Sequence, residues 1–149
     1  MALLLVTIVS VGCAQQEGTK MTPDESRTQL DTVLSSIETA VGGEWENTMS
    51  QPLECSVEGI RNGVQWTYGR SAARTGDMSA AQADTEKVAK ILADAGYEVA
   101  PATFDEELGY DIGSNNGEGS EVAFGASALG MSITAGSSCA EGTADDFSS

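Results

Sequence analysis

Histidine is absent from the 149 residues, which excludes imidazole as a general base, a neutral metal ligand or a pH switch. Serine triads, cysteine–histidine dyads and histidine-ligated zinc go with it. Lysine and arginine are scarce, 7 against 23 acids, for a formal charge of −16. Phosphate backbones and anionic headgroups repel a chain so charged, so nucleic acid is not an expected partner. Cysteine occurs three times and never in CxxC spacing, which argues against a thiolate metal site. No apolar run approaches the roughly 20 residues that a membrane-spanning helix requires.

The longest apolar run, "ALLLVTIVSV" from Ala2 to Val11, has instead the length of a signal-peptide hydrophobic region. It stops at Gly12-Cys13 and gives way to the polar "AQQEGTKM". Ser10-Val11-Gly12-Cys13 resembles the lipobox of bacterial lipoproteins, in which a small residue precedes a cysteine that is acylated before the signal is cleaved. The resemblance implies that residues 1–12 are a signal peptide, that Cys13 is the lipidated first residue of the mature chain, and that 13–21 is a lipid-bearing tether. Ser10 stands where lipoboxes usually carry leucine or another aliphatic residue. Met1-Ala2 supplies none of the basic residues that open a signal peptide, so a start further upstream is expected. Fully extended, the residues after Cys13 reach roughly 30 Å, which holds the domain close to a membrane. The expected location is the outer face of the cell membrane, with the lipid as the membrane contact.

With Cys13 assigned to lipid, Cys55 and Cys139 remain as a pair in a compartment where disulfides persist. Joining them closes a loop of about 85 residues, which in the chain-entropy view stabilises a fold by about 4–5 kcal/mol.

The rest of the chain reads as one domain, 22–139, followed by an acidic tail, 140–149, expected to be disordered. Thr22, Pro23 and Glu25 announce a capped helix whose apolar residues Leu30, Val33, Leu34, Ile37 and Val41 share one face, closed by Gly42-Gly43. A strand is expected over 53–57, then a turn at "EGIRNG", then a longer strand in which Val64, Trp66 and Tyr68 alternate with polar or small residues. Ser79 and Gln82 suggest a capping box for a second helix carrying Val88, Ile91 and Leu92 and ending at Gly96. Short strands are expected over 97–100 and 110–112, and a final antiparallel pair over 122–126 and 131–135. The order α-β-β-α-β-β-β-β with two amphipathic helices predicts an α+β fold, helices on one face of a mainly antiparallel sheet.

Functional signals are few. "DIGSNNGEGSE" fails as a calcium loop: counted from Asp111, Gly113 and Val122 stand where oxygen ligands belong, and Asn116 where glycine is required. It reads as a turn. Asp105, Glu106 and Glu107 are a candidate carboxylate group for hydrolysis, but neighbouring acids on one loop point different ways. Trp66 and Tyr68 alternate like core residues, while Trp45 stands just outside the helix as a candidate partner contact. Arg61, Arg70 and Arg74, three of the seven bases, lie on or beside one hairpin, with Arg70 and Arg74 expected on one strand face. They either neutralise nearby acids or receive an acidic partner. No motif calls for a catalytic residue, a metal or a cofactor.

In its Cys13 anchor, short tether, helix–hairpin order and late "SSC", the chain resembles the small, functionally uncharacterised lipoproteins of actinobacteria. The expected function is a lipid-anchored, extracytoplasmic and non-catalytic binding or envelope-assembly module that uses the exposed sheet face or the hairpin arginines toward an unidentified protein or envelope partner. The alternative is a cell-wall polymer hydrolase using a carboxylate pair.

Overall fold

Thr22 caps the first helix, α1 (Pro23–Val41), as its sequence predicts. Its hydroxyl accepts from the Glu25 amide at 3.2 Å while the Glu25 carboxylate accepts from the Thr22 amide at 2.8 Å. Two N–H groups without partners in the helical ladder are thereby satisfied. Leu30, Leu34 and Ile37 fall on one face and are fully buried, and Gly42, at φ 72°, ends the helix. The computed structural model describes residues 21–147; the expected signal peptide, Cys13 and all of the tether but Met21 lie outside the described residues.

The second helix, α2 (Met78–Asp94), is capped by Asp77 and not by Ser79. Asp77 is the residue with extended backbone ahead of the first turn, and its carboxylate accepts from the Ala80 amide at 2.8 Å; Ser79 is already helical. Ala81, Val88 and Leu92 face inward, and Gly96, at φ 90°, turns the chain out of the helix.

The strands are β1 (Trp45–Val57), β2 (Ile60–Ala73), β3 (Glu98–Val99), β4 (Thr103–Asp105), β5 (Gly109–Asn115), β6 (Glu121–Ala126), β7 (Gly130–Gly136) and β8 (Ala140–Glu141). All pair antiparallel in one sheet of order β1-β2-β7-β6-β5-β3, with β4 also on β5 and β8 also on β2. The structure is α+β with both helices on one face, as the sequence predicts. Val64, Trp66 and Tyr68 of β2 bury themselves in register with Ile112, Val122, Phe124, Ile133 and Ala135 of the neighbouring strands. This apolar face and the two helix stripes form the core.

β1 begins at Trp45, well before the expected 53–57, because an edge strand exposed on most of its length carries no alternation to announce it. Its outer edge is interrupted. Trp66 directs its N–H to the Ser137 hydroxyl and its C=O to the Ser137 amide, both away from β1. Its partner in β1, Pro52, therefore makes no ladder bonds to β2 and faces outward, where a ring replaces the N–H. A bulge between Asn47 and Met49 distorts the same edge. The opposite edge consists of two strands of 2 and 3 residues. Both devices discourage edge-to-edge pairing.

The expected disordered tail is folded as far as Phe147. β8 pairs with Gly63 and Val64, and a 3₁₀ turn (Ala144–Phe147) follows. The Phe147 ring sits edge-on to Trp66 with centroids 5.8 Å apart. One aromatic residue supplies the apolar contact that a tail otherwise acidic and polar could not.

Cys55 and Cys139 are bonded, with Cα atoms 6.0 Å apart. Their strands are not neighbours: β1 and β8 flank β2 on opposite sides, and the bond crosses over Gly63. A Cβ on Gly63 would lie 2.5 Å from the Cys139 sulfur. Cys139 can reach because the chain carries one extra residue between the Gly136–Thr67 and Ala140–Val64 pairs.

Candidate functional site

The face of the sheet turned away from the helices is paved with small side chains in cross-strand rows. The middle row runs Gly113, Ala123, Thr134, Gly69, Met49 across β5, β6, β7, β2 and β1. On one side lies the row Asp111, Gly125, Ser132, Ser71, Glu46. On the other lies Asn115, Glu121, Gly136, Thr67, Gln51, with Glu98 of β3 opposite Asn115. Strands are about 4.8 Å apart and same-face neighbours along a strand about 6.7 Å apart, so the middle row is roughly 19 Å long and its flanking rows roughly 13 Å from each other. A groove of about 450 Å³ follows this row, its lining including Gly113, Ala123, Thr134, Gly136 and Met49.

Polar side chains lie across three of the glycines. Gln65 covers Gly136, the Thr48 hydroxyl lies 2.6 Å from where a Cβ on Gly69 would stand, and Asp111 with Ser132 covers Gly125, where an added Cβ would stand 2.7 Å from the Asp111 carboxylate. Any larger residue would push these groups out and roughen the surface. The alternation that produces the face, Gly, Ser, Thr and Ala between apolar residues, is visible in the sequence of β2, β6 and β7.

The four candidate contact residues do not converge. Trp45 donates from its indole Nε1 to the Gly42 carbonyl at 3.0 Å and packs its ring on the core, so it closes the end of α1. Arg70 pairs with Glu38 of α1. Arg74 lies beyond the end of β2, not on one strand face with Arg70, and pairs with Asp84 of α2 at 2.7 Å. These two arginines pin the helices to the sheet. Arg61 alone stays exposed, at the edge of a cavity of about 530 Å³ beside the disulfide.

Arg27, absent from the candidates, lies over the Trp66 ring, 4.3 Å from its centroid, and donates from Nε to the Tyr68 hydroxyl at 3.1 Å. Burial pushes the Tyr68 hydroxyl above its ordinary pKa, and the Arg27 hydrogen bond only partly offsets this.

No family model matches the sequence, and no curated protein matches it. The fold is shared by a DUF4853 family protein from Actinomyces odontolyticus. That structure aligns with a TM-score of 0.51 at 17% identity, over 78% of this chain and 66% of that one. The likeness establishes the fold alone. The aligned part spans just under two thirds of that protein.

Among the described residues most acids are solvated; Glu38, paired with Arg70, is part-buried, and Asp84 is the most buried. Asp84, 9% exposed, is held by Arg74 at 2.7 Å and Lys87 at 3.2 Å. The carboxylate of Asp105 accepts from the Leu108 and Glu107 amides, which holds its pKa below the ordinary value. Glu106 and Glu107 are exposed beside it. The Asp105 carboxylate thus serves as a turn acceptor, and a general acid requires the opposite shift.

Proposed function

We propose that the chain is a lipid-anchored, extracytoplasmic binding module that acts without catalysis through the helix-free face of its sheet. The observation that carries this reading is the unequal treatment of the two faces. One is covered by both helices; the other, five strands wide, is left open, with a groove lined largely by small and polar side chains. An open polar sheet face suits recognition, whereas hydrolysis of a polymer requires two acids in unlike environments across a cleft. The Cys55–Cys139 bond is compatible with folding outside the cytoplasm, and none of the described helices is long and apolar enough to cross a membrane. Attachment then rests with Cys13.

Two measurements test the reading. Mass spectrometry of protein extracted from membranes should find a diacylglyceryl group on Cys13, and an unmodified Cys13 in a chain still carrying Met1 would remove the anchor. For the binding face, capture from detergent-solubilised membranes should be lost with Thr134→Arg, which fills the groove, and kept with Ser36→Arg on the outer side of α1. Equal capture by both variants, or release of soluble fragments from wall polymer by the pure protein, would refute it.

A further inference from the structure

The charges on the helix-free face are of one sign. It carries Glu46, Glu98, Asp111 and Glu121, all exposed, and its rows contain no Lys or Arg. The bases lie elsewhere: Arg27, Arg70, Arg74, Lys87 and Lys90 are each ion-paired on the helix side, and Arg61 sits at the end of the β1–β2 hairpin. Acids on the helix side thus have partners within the fold, whereas those on the open face stand apart from every one of these pairs.

Their placement is also ordered. Asp111 and Glu46 lie at the two ends of one flanking row, and Glu98 and Glu121 lie in the other, where Glu121 also lines the groove, so carboxylates flank the middle row on both sides. Between them the open floor is Gly113, Ala123 and Thr134, low enough for a backbone to approach, whereas Gly69, next along the row, lies under the Thr48 hydroxyl. That open stretch of roughly 10 Å matches about three extended residues, whose alternate side chains repeat every 6.7 Å or so. Resting on the reading above, we propose that the occupant of this face is an extended, lysine- or arginine-rich polypeptide segment. Its backbone lies along the Gly113–Thr134 row, and its cationic side chains reach outward to the acids on either side. Complementary charge of this kind selects the partner and speeds encounter.

A fluorescent peptide of six lysines, titrated against the full chain, provides the test. Amide NMR shifts should concentrate on Gly113, Ala123 and Thr134. The triple variant Glu46→Gln/Asp111→Asn/Glu121→Gln should bind about tenfold more weakly, while Glu86→Gln/Glu106→Gln/Asp146→Asn, which removes the same charge elsewhere, should change affinity by less than about twofold. Raising salt from about 50 to about 300 mM should weaken the parent's binding and leave the triple variant nearly unaffected. Equal losses in the two variants would mean that the lysines feel only the net charge, and shifts on α1 or α2, or equal binding of a six-serine peptide, would likewise overturn the proposal. Membrane capture separates the two levels. If Thr134→Arg abolishes capture but the open-face triple variant captures normally, the face binds a partner that is not cationic and this inference alone falls. If Thr134→Arg captures normally, the binding reading falls with it.

Discussion

Replacing Cys55 and Cys139 by alanine removes a covalent link between positions 84 apart in sequence. In the chain-entropy model a loop of that length is worth about 4.5 kcal/mol, because the reduced unfolded chain recovers the freedom that the bond denied it. Residues 21–147 unfold with about 2.1 cal/mol/K per residue, or about 0.27 kcal/mol for each degree, so the melting temperature should fall by about 17 °C. The crossing over Gly63 adds a second signature. In the bonded parent, Gly63→Ala drives a methyl into the Cys139 sulfur and should cost about 1–3 kcal/mol. Without the sulfurs that clash is gone, although the methyl still stands 2.9 Å from Ile60 Cγ2 and 3.0 Å from the Ala140 carbonyl, so the same change should cost clearly less without becoming neutral. The assay is thermal melting by circular dichroism of four proteins: parent, double alanine, Gly63→Ala and the triple variant. A fall below about 5 °C for the double alanine would refute the entropic account, and additive effects in the cycle would refute the crossing.

Phe147→Ala should cost about 1–2 kcal/mol and shift the Trp66 fluorescence, since it removes an edge contact from a buried indole; a chain ending at Ala140 should lose at least as much. Arg74→Ala leaves Asp84 buried with Lys87 alone and should destabilise by up to about 3–5 kcal/mol in urea unfolding, part of which Asp84→Ala in the same chain should restore. Tyr68 titrates above 10.0 in the folded protein, so folding favours its neutral form. The stability it contributes is complete below the unfolded value and fades as pH rises from about 10 through the raised folded value, and Tyr68→Phe should flatten that decline in alkaline melts.

What could be read from the sequence was what neighbouring residues encode between themselves. Thr22, Pro23 and Glu25 sit within a single turn, and Val64, Trp66 and Tyr68 alternate along one strand, so the cap and the central strand were both legible. The Cys55–Cys139 pair followed from number and compartment, but its passage over β2 depends on Gly63 and an extra residue near Cys139, which only the register reveals. That Arg70 and Arg74 neutralise acids was one of the two readings the sequence offered, but which acids was not legible because Glu38 and Asp84, their partners, lie on separate helices. The tail looked disordered because its one large apolar residue among the described positions is Phe147, and the burial of Ala140 against β2 is announced by no pattern. An exposed sheet face was expected, but not the residues that pave it, for a related reason: Gly, Ser and Thr signal nothing singly, and their meaning appears only when five strands bring them into rows.

Pro52 bears on life in two dimensions. A domain tethered to a membrane meets copies of itself at far higher local density than one free in solution, and each copy brings a 13-residue strand at the rim of its sheet. With an N–H at position 52, that rim would offer regular bonding to any neighbour arriving in antiparallel orientation. Sheets could then grow sideways into ribbons lying along the surface. The pyrrolidine ring breaks the template at its middle. On the Cys13 anchor proposed above, this would discourage neighbouring domains from joining edge to edge and leave their helix-free faces available.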